Sequence, residues 1–269
     1  MFDIQSIVLG ITILLNLFLA GLVISKNIRE KTNLLFGAFV LSIIFWTFSM
    51  LIFRVSKELT TFIFWLRLSY VAAGFIGITF FAFCSYLTKN KASNKLWLFI
   101  IIMVGWMSFL LLKPWFLILS VIDHSWGKSA ISNPFHYFIY SFYFIIFFFG
   151  ALLIVRHRYN KESGTEKSRL NFIFWGVLIA GTLGTFFNLI MPSPWINEWR
   201  FTWLGPVFTL IFVLFIALAI TRYHLMNIRA IAAELFTLGV LVMTGIQIFL
   251  AKNLTDLFLQ IMLFLLLLL

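Results

Sequence analysis

The sequence predicts an all-α integral membrane protein: a polytopic bundle of seven transmembrane helices, followed by two further hydrophobic helices, with the N-terminus outside. Three observations predict it. Of the 269 residues, 62% are hydrophobic and only 11% charged, against about half and about a quarter in a soluble domain, so the chain has too little polar surface to dissolve. Its Lys and Arg residues sit in short runs between long apolar stretches rather than along one face. Finally, a helix with a short loop uses roughly 28 to 30 residues where the hydrocarbon is about 30 Å thick, which fits about nine crossings into this length.

The first apolar run, 4–25, follows Met1-Phe2-Asp3 without the basic leader of a secretory signal, so it is read as an uncleaved first helix. Further crossings are placed at 33–53, 61–87, 96–112, 137–155, 170–191 and 201–221. Two more apolar runs, 231–251 and 254–269, complete the nine. The ninth ends in five leucines and supplies about 24 Å at 1.5 Å per residue, short of the core thickness; it is expected to be cut off mid-helix, the alternative being a tilted terminal helix. The predicted division is a seven-helix membrane domain over 4–228 and an additional pair over 229–269.

Orientation follows from the loop charges. With the N-terminus outside, the cytoplasmic loops hold thirteen Lys and Arg residues and the outer loops six, the asymmetry expected of inward-facing loops. The formal charge of +11 is therefore a topology signal rather than a nucleic-acid footprint. In the third cytoplasmic loop, Ser163 and Glu166 have the spacing of a capping box. The longest outer segment, 114–136, carries Trp115, Trp126, Asp123, His124 and Asn133-Pro134, a mixture that suits an interfacial loop or a half-buried lid.

Catalytic signatures are missing from this reading, and no catalytic residue, metal ligand or cofactor is assigned. His124, His136, His157 and His224 fall in loops or at helix ends, without the spacing of a zinc pair or the depth a haem would need. The predicted seventh helix holds no lysine for a retinal Schiff base. The acidic residues lie nearly all in loops, where an ion pump would bury them. Cys84 is the single cysteine, so an intrachain disulfide is excluded.

Arg67 is the ionisable residue at membrane depth, and burial there requires a partner, water or snorkelling. Tyr70, Gly74 and Gly77 follow it on one helical face, which suits bundle contact. The sixth predicted helix repeats the device: Gly176, Ala180 and Gly184 recur every four residues and Asn188 continues the row. Glu198, in the next outer loop, is the best counter-charge in the sequence. Arg67, Tyr70, Asn188 and Glu198 are thus candidate linings of an outward-facing ligand pocket; the alternative is a structural hydrogen-bond network between the third and sixth helices. Asn16 reads as interhelical glue, and Pro206 as tolerated near a helix start.

Several strings carry a family resemblance: Trp65-Leu66-Arg67-Leu68-Ser69-Tyr70, Trp203-Leu204-Gly205-Pro206, and Arg222-Tyr223-His224-Leu225-Met226-Asn227-Ile228, with Lys26-Asn27, Asn33 and Trp46 in support. In this order and spacing, over about residues 8–228, the chain resembles the seven-helix N-terminal sensor domain of bacterial histidine kinases. The resemblance implies a multi-pass protein of the bacterial cytoplasmic membrane that senses a signal and passes a conformational change to a cytoplasmic kinase or other output module, in cis or in trans. It also implies a homodimer; no nucleic-acid partner is expected, on the charge pattern given above. Arg222, Tyr223 and Asn227 lie in the segment after the seventh helix, the natural transmitter, which is also readable as a basic membrane anchor. Neither a phosphoacceptor His segment nor a Gly-rich nucleotide segment is found, so no enzyme activity is assigned to this chain. The competing readings are a small-solute transporter and a non-catalytic membrane assembly protein.

Overall fold

The computed structural model describes residues 4–88, 117–124 and 127–221, with isolated positions at 102, 105, 109 and 262. The predicted fourth, eighth and ninth crossings and the segment bearing Arg222, Tyr223 and Asn227 lie outside the described residues, those four positions aside. Six helices are described: α1 (Ile4–Lys26), α2 (Lys31–Val55), α3 (Leu59–Leu87), α4 (Pro134–Tyr159), α5 (Gly164–Thr185) and α6 (Leu204–Thr221). The first five are long and apolar enough to cross a bilayer, α5 together with its π-helical extension, and α6 contributes a shorter apolar stretch, Leu204–Ala219.

Each helix packs on its chain neighbour in the described structure, and α6 closes on α1, so the six form a ring. Its centre is aromatic. Phe39 of α2, Phe80 of α3, Phe148 of α4 and Phe212 of α6 meet with ring centroids 5.0 to 6.0 Å apart, mostly tilted or edge to face, the arrangement ring quadrupoles favour. The wide apolar exposure outside this core, including Leu14, Phe135, Phe138 and Leu153, is what a lipid-facing surface requires, because lipid leaves no hydrophobic penalty to avoid.

Small residues set how closely the helices approach. Where Gly77 of α3 meets α4, a built Cβ would lie 3.3 Å from the Cβ of Phe147. The predicted row on the sixth predicted helix, now α5, packs in part on α6: Gly176 lies against Phe215, while Gly184 is near the Gly205 carbonyl. Tyr140 and Tyr143 of α4 donate to the α3 carbonyls of Tyr70 and Gly74, at 3.0 and 2.9 Å, which fixes the rotation of the two helices about their contact.

The segment read as an interfacial loop or lid contains an antiparallel β-hairpin, β1 (Ile118–His124) and β2 (Gly127–Ser132), with an irregularity between Ile118 and Ser120. Its strands lack clean polar and apolar alternation, so no period-2 signal marks them. Tertiary contacts hold it. Lys128 Nζ donates to the carbonyls of Ser56 and Lys57, between α2 and α3, and lies over the Phe62 ring. Asn133 then N-caps α4 by accepting from the amides of Phe135 and His136, with Pro134 at the first helical position.

Two local expectations turn out differently. Ser163 does occupy the N-cap of α5, but it makes no side-chain cap bond, and Glu166 turns instead to Arg169, 3.5 Å away. Asn16, expected to bridge helices, is fully buried, and both its amide atoms lack a partner among the described residues.

Candidate functional site

The site grows out of the end of α5. After Thr185 the helix widens into a π-turn, Phe186–Ile190, in which Met191 N donates five residues back to Phe186 O at 2.9 Å; such turns often mark functional positions. Pro192 and Pro194 follow. Neither has an N–H, and Ser193 N donates to Ile190 O, so the Leu189 carbonyl is left without a backbone donor from the residues that would normally serve it. The Tyr137 hydroxyl fills the gap at 2.7 Å. Tyr137→Phe is therefore expected to destabilise the fold by about 1–3 kcal/mol, because a buried acceptor is orphaned. Tyr143→Phe, which removes only the second bond to a mid-helix carbonyl, is expected to cost about 0.6 kcal/mol. Titration of the two variants with SDS in mixed micelles checks the order.

Between the π-turn and the aromatic centre lies a cavity with about 800 Å³ of atom-free space, part of it open to solvent. Phe148 and Phe212 of the central cluster line its deep part, and Pro192, Trp199 and Thr202 of the α5–α6 loop its other end. Helix α3 contributes Leu66, Ser69, Tyr70 and Ala73, and α5 contributes Gly181, Gly184, Thr185 and the neighbouring Asn188. The Tyr70 ring is set edge-on against Tyr137 and Tyr140, with centroids 6.3 and 5.2 Å away. Among the described residues no Lys, Arg, His, Asp or Glu lines this cavity. A second, polar recess shares Phe53, Trp199 and Thr202 with it and adds Arg54 and Lys128.

The cavity brings Tyr70 and Asn188 together, two of the four residues proposed from sequence. Asn188 Nδ2 donates to Gly184 O at 3.3 Å, and the amide is pressed so closely on Gly205 that a Cβ there would overlap it. Arg67 is not part of the lining; it is half-buried, and its Nε donates to Ile63 O one turn back, at 3.3 Å. Glu198 is also outside the lining and pairs with Arg200, whose Nε lies 2.9 and 3.1 Å from the two carboxylate oxygens and Nη2 2.5 Å from Oε2. The Arg200 backbone amide adds a bond of 3.0 Å.

Sequence reading missed the aromatic floor and Ser69, Ala73, Thr185 and Trp199. The signal available was the three-residue spacing of Tyr137, Tyr140 and Tyr143, which puts three hydroxyls on one helical face.

These contacts make the Glu198 carboxyl strongly acidic. Hydrogen bonds from the Arg200 side chain, then from its amide, hold it down at about 2. A depressed folded-state value means that the pair contributes fully above the ordinary glutamate range, near 4.3, and is lost only as pH falls through about 2. Carbon-13 NMR of labelled glutamate is expected to show Glu198 titrating near 2, and Arg200→Gln, which removes the guanidinium bonds but keeps the amide bond, to raise it part of the way to the ordinary range.

No curated protein matches the chain significantly. Residues 8–229 match the family described as the N-terminal 7TM region of histidine kinase, a span that includes every described helix from the first turns of α1 to the end of α6. With its membrane-spanning helices arranged as above, the chain is a multi-pass membrane protein, and it belongs to the family of N-terminal seven-transmembrane regions of histidine kinases.

Proposed function

We propose that this chain is a membrane-embedded receptor domain that binds a small signal in the cavity between α3, α5 and α6 and couples it to a cytoplasmic kinase output. The observation that carries the reading is the cavity itself, lined by α2 to α6 of the ring and by the α5–α6 loop. A molecule held there touches several helices at once, and so can favour one helix arrangement over another through differential affinity. Tyr70 and Asn188 are the polar groups that would meet it. Arg67 and Glu198 act in this reading on the bundle and on the loop around it, not on the ligand directly.

The cavity end of the bundle is proposed to face outside, with the N-terminus, in a seven-plus-two helix topology of the bacterial cytoplasmic membrane. The opposite end supports this: Arg156, Arg158, Lys161, Lys167 and Arg169 gather at the α4–α5 connection, as expected of the cytoplasmic side. The seven-helix unit is proposed to span 4–228 and the additional pair 229–269. Arg222, Tyr223 and Asn227 would transmit the change from α6, and a homodimer would present paired outputs to one another.

The test joins the chain to a histidine-kinase catalytic core in membrane vesicles and follows autophosphorylation. Ala73→Phe, which fills the cavity, is expected to change the basal rate several-fold by shifting the balance of helix arrangements. Phe135→Ala, on the exposed start of α4, is expected to leave it unchanged. Equal output from both variants and the parent would overturn the receptor reading.

A further inference from the structure

From the chemistry of the cavity wall we infer that its ligand is an uncharged amphiphile: an alkyl or aromatic body with one group, a hydroxyl or a primary or secondary amide, that both donates and accepts a hydrogen bond. This rests on the receptor reading above and narrows it to a ligand class.

The exclusion of charge comes first. Among the described residues the cavity is lined without an ionisable acid or base other than tyrosine. An ion brought into such a wall loses its hydration and finds no counter-charge, which is prohibitive for a carboxylate or phosphate. The cationic Arg54 and Lys128 belong to the adjoining recess, where Lys128 is already engaged with the carbonyls of Ser56 and Lys57 and Arg54 with Gln5.

Hydrogen bonding then selects among neutral molecules. Ser69, Thr202 and Thr209 direct their hydroxyls to backbone carbonyls of their own segments. Tyr137, Tyr140 and Tyr143 direct theirs to the carbonyls of Leu189, Tyr70 and Gly74. The Tyr70 hydroxyl reaches no backbone carbonyl in this way; its neighbour is the rotatable Ser132 hydroxyl. Asn188 gives one of its two Nδ2 hydrogens to Gly184 O, which leaves the other N–H as a donor and Oδ1 as an acceptor. Three groups on the wall are therefore available to a ligand: the Tyr70 and Thr185 hydroxyls, each able to donate, and the Asn188 amide, whose Oδ1 can only be met by a donor. A hydroxyl can accept from one of these donors while donating to Asn188 Oδ1, whereas an ether or ester can only accept and would leave Oδ1 unmet. Leu66, Ile76, Phe144 and Phe212 supply contact for the apolar body.

The experiment uses the full chain in nanodiscs and a decanol analogue bearing a photoreactive diazirine on its chain. Crosslinks are mapped by mass spectrometry and divided between cavity residues such as Met50 and Phe148 and lipid-facing ones such as Phe138 and Leu153. Cavity labelling is expected, lost in Ala73→Phe, and suppressed by unlabelled decanol at least tenfold more effectively than by decanoate, decyltrimethylammonium or methyl decyl ether. Asn188→Leu is expected to abolish the preference of decanol over the ether, while circular dichroism and the SDS midpoint report that the variant folds. Decanoate or decyltrimethylammonium competing as well as decanol would overturn the inference, as would labelling confined to the lipid face. If cavity labelling fails while Ala73→Phe still alters kinase output, the ligand class falls and the receptor reading stands. Normal labelling with unaltered output reverses this: the binding preference holds and the receptor reading falls.

Discussion

Gly176→Ala is expected to be the most damaging single-methyl change in the bundle, lowering stability by about 3 kcal/mol, the upper part of the usual range for overpacking. Gly176 of α5 faces Phe215 of α6, which is stacked on Phe172 with centroids 4.6 Å apart. A Cβ on residue 176 would overlap Cγ and Cδ1 of Phe215 and lie 2.7 Å from its Cβ. Ring atoms can swing away by changing rotamer; the Cβ cannot, because its position is set by the backbone. The two helices must separate, giving up contacts along their length. Gly10→Ala, where nothing lies within 4 Å of the new carbon, is expected to be neutral or slightly stabilising, since alanine is the better helix former. SDS-titration midpoints of the two variants check the contrast, and Phe215→Gly in the Gly176→Ala background, which removes the obstructing Cβ, should recover more of the loss than Phe215→Ala, which keeps it.

The second large effect is a coupling rather than a loss. Gly205→Ala alone is expected to cost about 1–3 kcal/mol, because its Cβ would occupy the space of the Asn188 carboxamide. Asn188→Ala alone forfeits one hydrogen bond to Gly184 O, about 0.6 kcal/mol inside a membrane protein. In the double variant the new methyl at 205 enters the volume that the amide has vacated, so the pair is expected to be close to Asn188→Ala by itself. The double-mutant cycle should therefore show a favourable interaction of at least about 1 kcal/mol. Strict additivity would mean that the two side chains do not share that space. Both residues stand where the π-turn meets α6, so the same cycle measured on kinase output reports whether this joint participates in signalling.

The six described helices were legible because each one's apolar stretch is long and a lipid interior demands it: unsatisfied backbone groups are intolerable there, so a long apolar run has essentially one conformation to adopt. The small-residue rows were legible for a related reason. Gly74, Gly77, Gly176 and Gly184 recur at helical spacing, and close approach needs their lack of bulk. The family was legible too, in strings around Trp65–Tyr70 and Trp203–Pro206. The hairpin was not. Its strands are held by Lys128 reaching carbonyls about seventy positions away, and no local pattern encodes such a bond.

What the sequence by itself determined, then, is that the chain is a multi-pass helical membrane protein of this family, with Tyr70 and Asn188 singled out by polarity on two small-residue faces. Only the tertiary structure decided what those residues face. It turned Glu198 away to Arg200, two residues along, where a short local ion pair forms at less entropic cost than one to a distant helix. It left Arg67 beside the Ile63 carbonyl, and joined Tyr70 to Asn188 across an aromatic cavity. The physical reason is rotation. A helix's apolar composition sets that it spans, but in lipid every face is apolar, so composition says little about which face turns inward. That choice is made by specific bonds and close contacts between helices, the Tyr140 and Tyr143 hydroxyls on α3 and Gly205 against Asn188, and these exist only once the ring has closed.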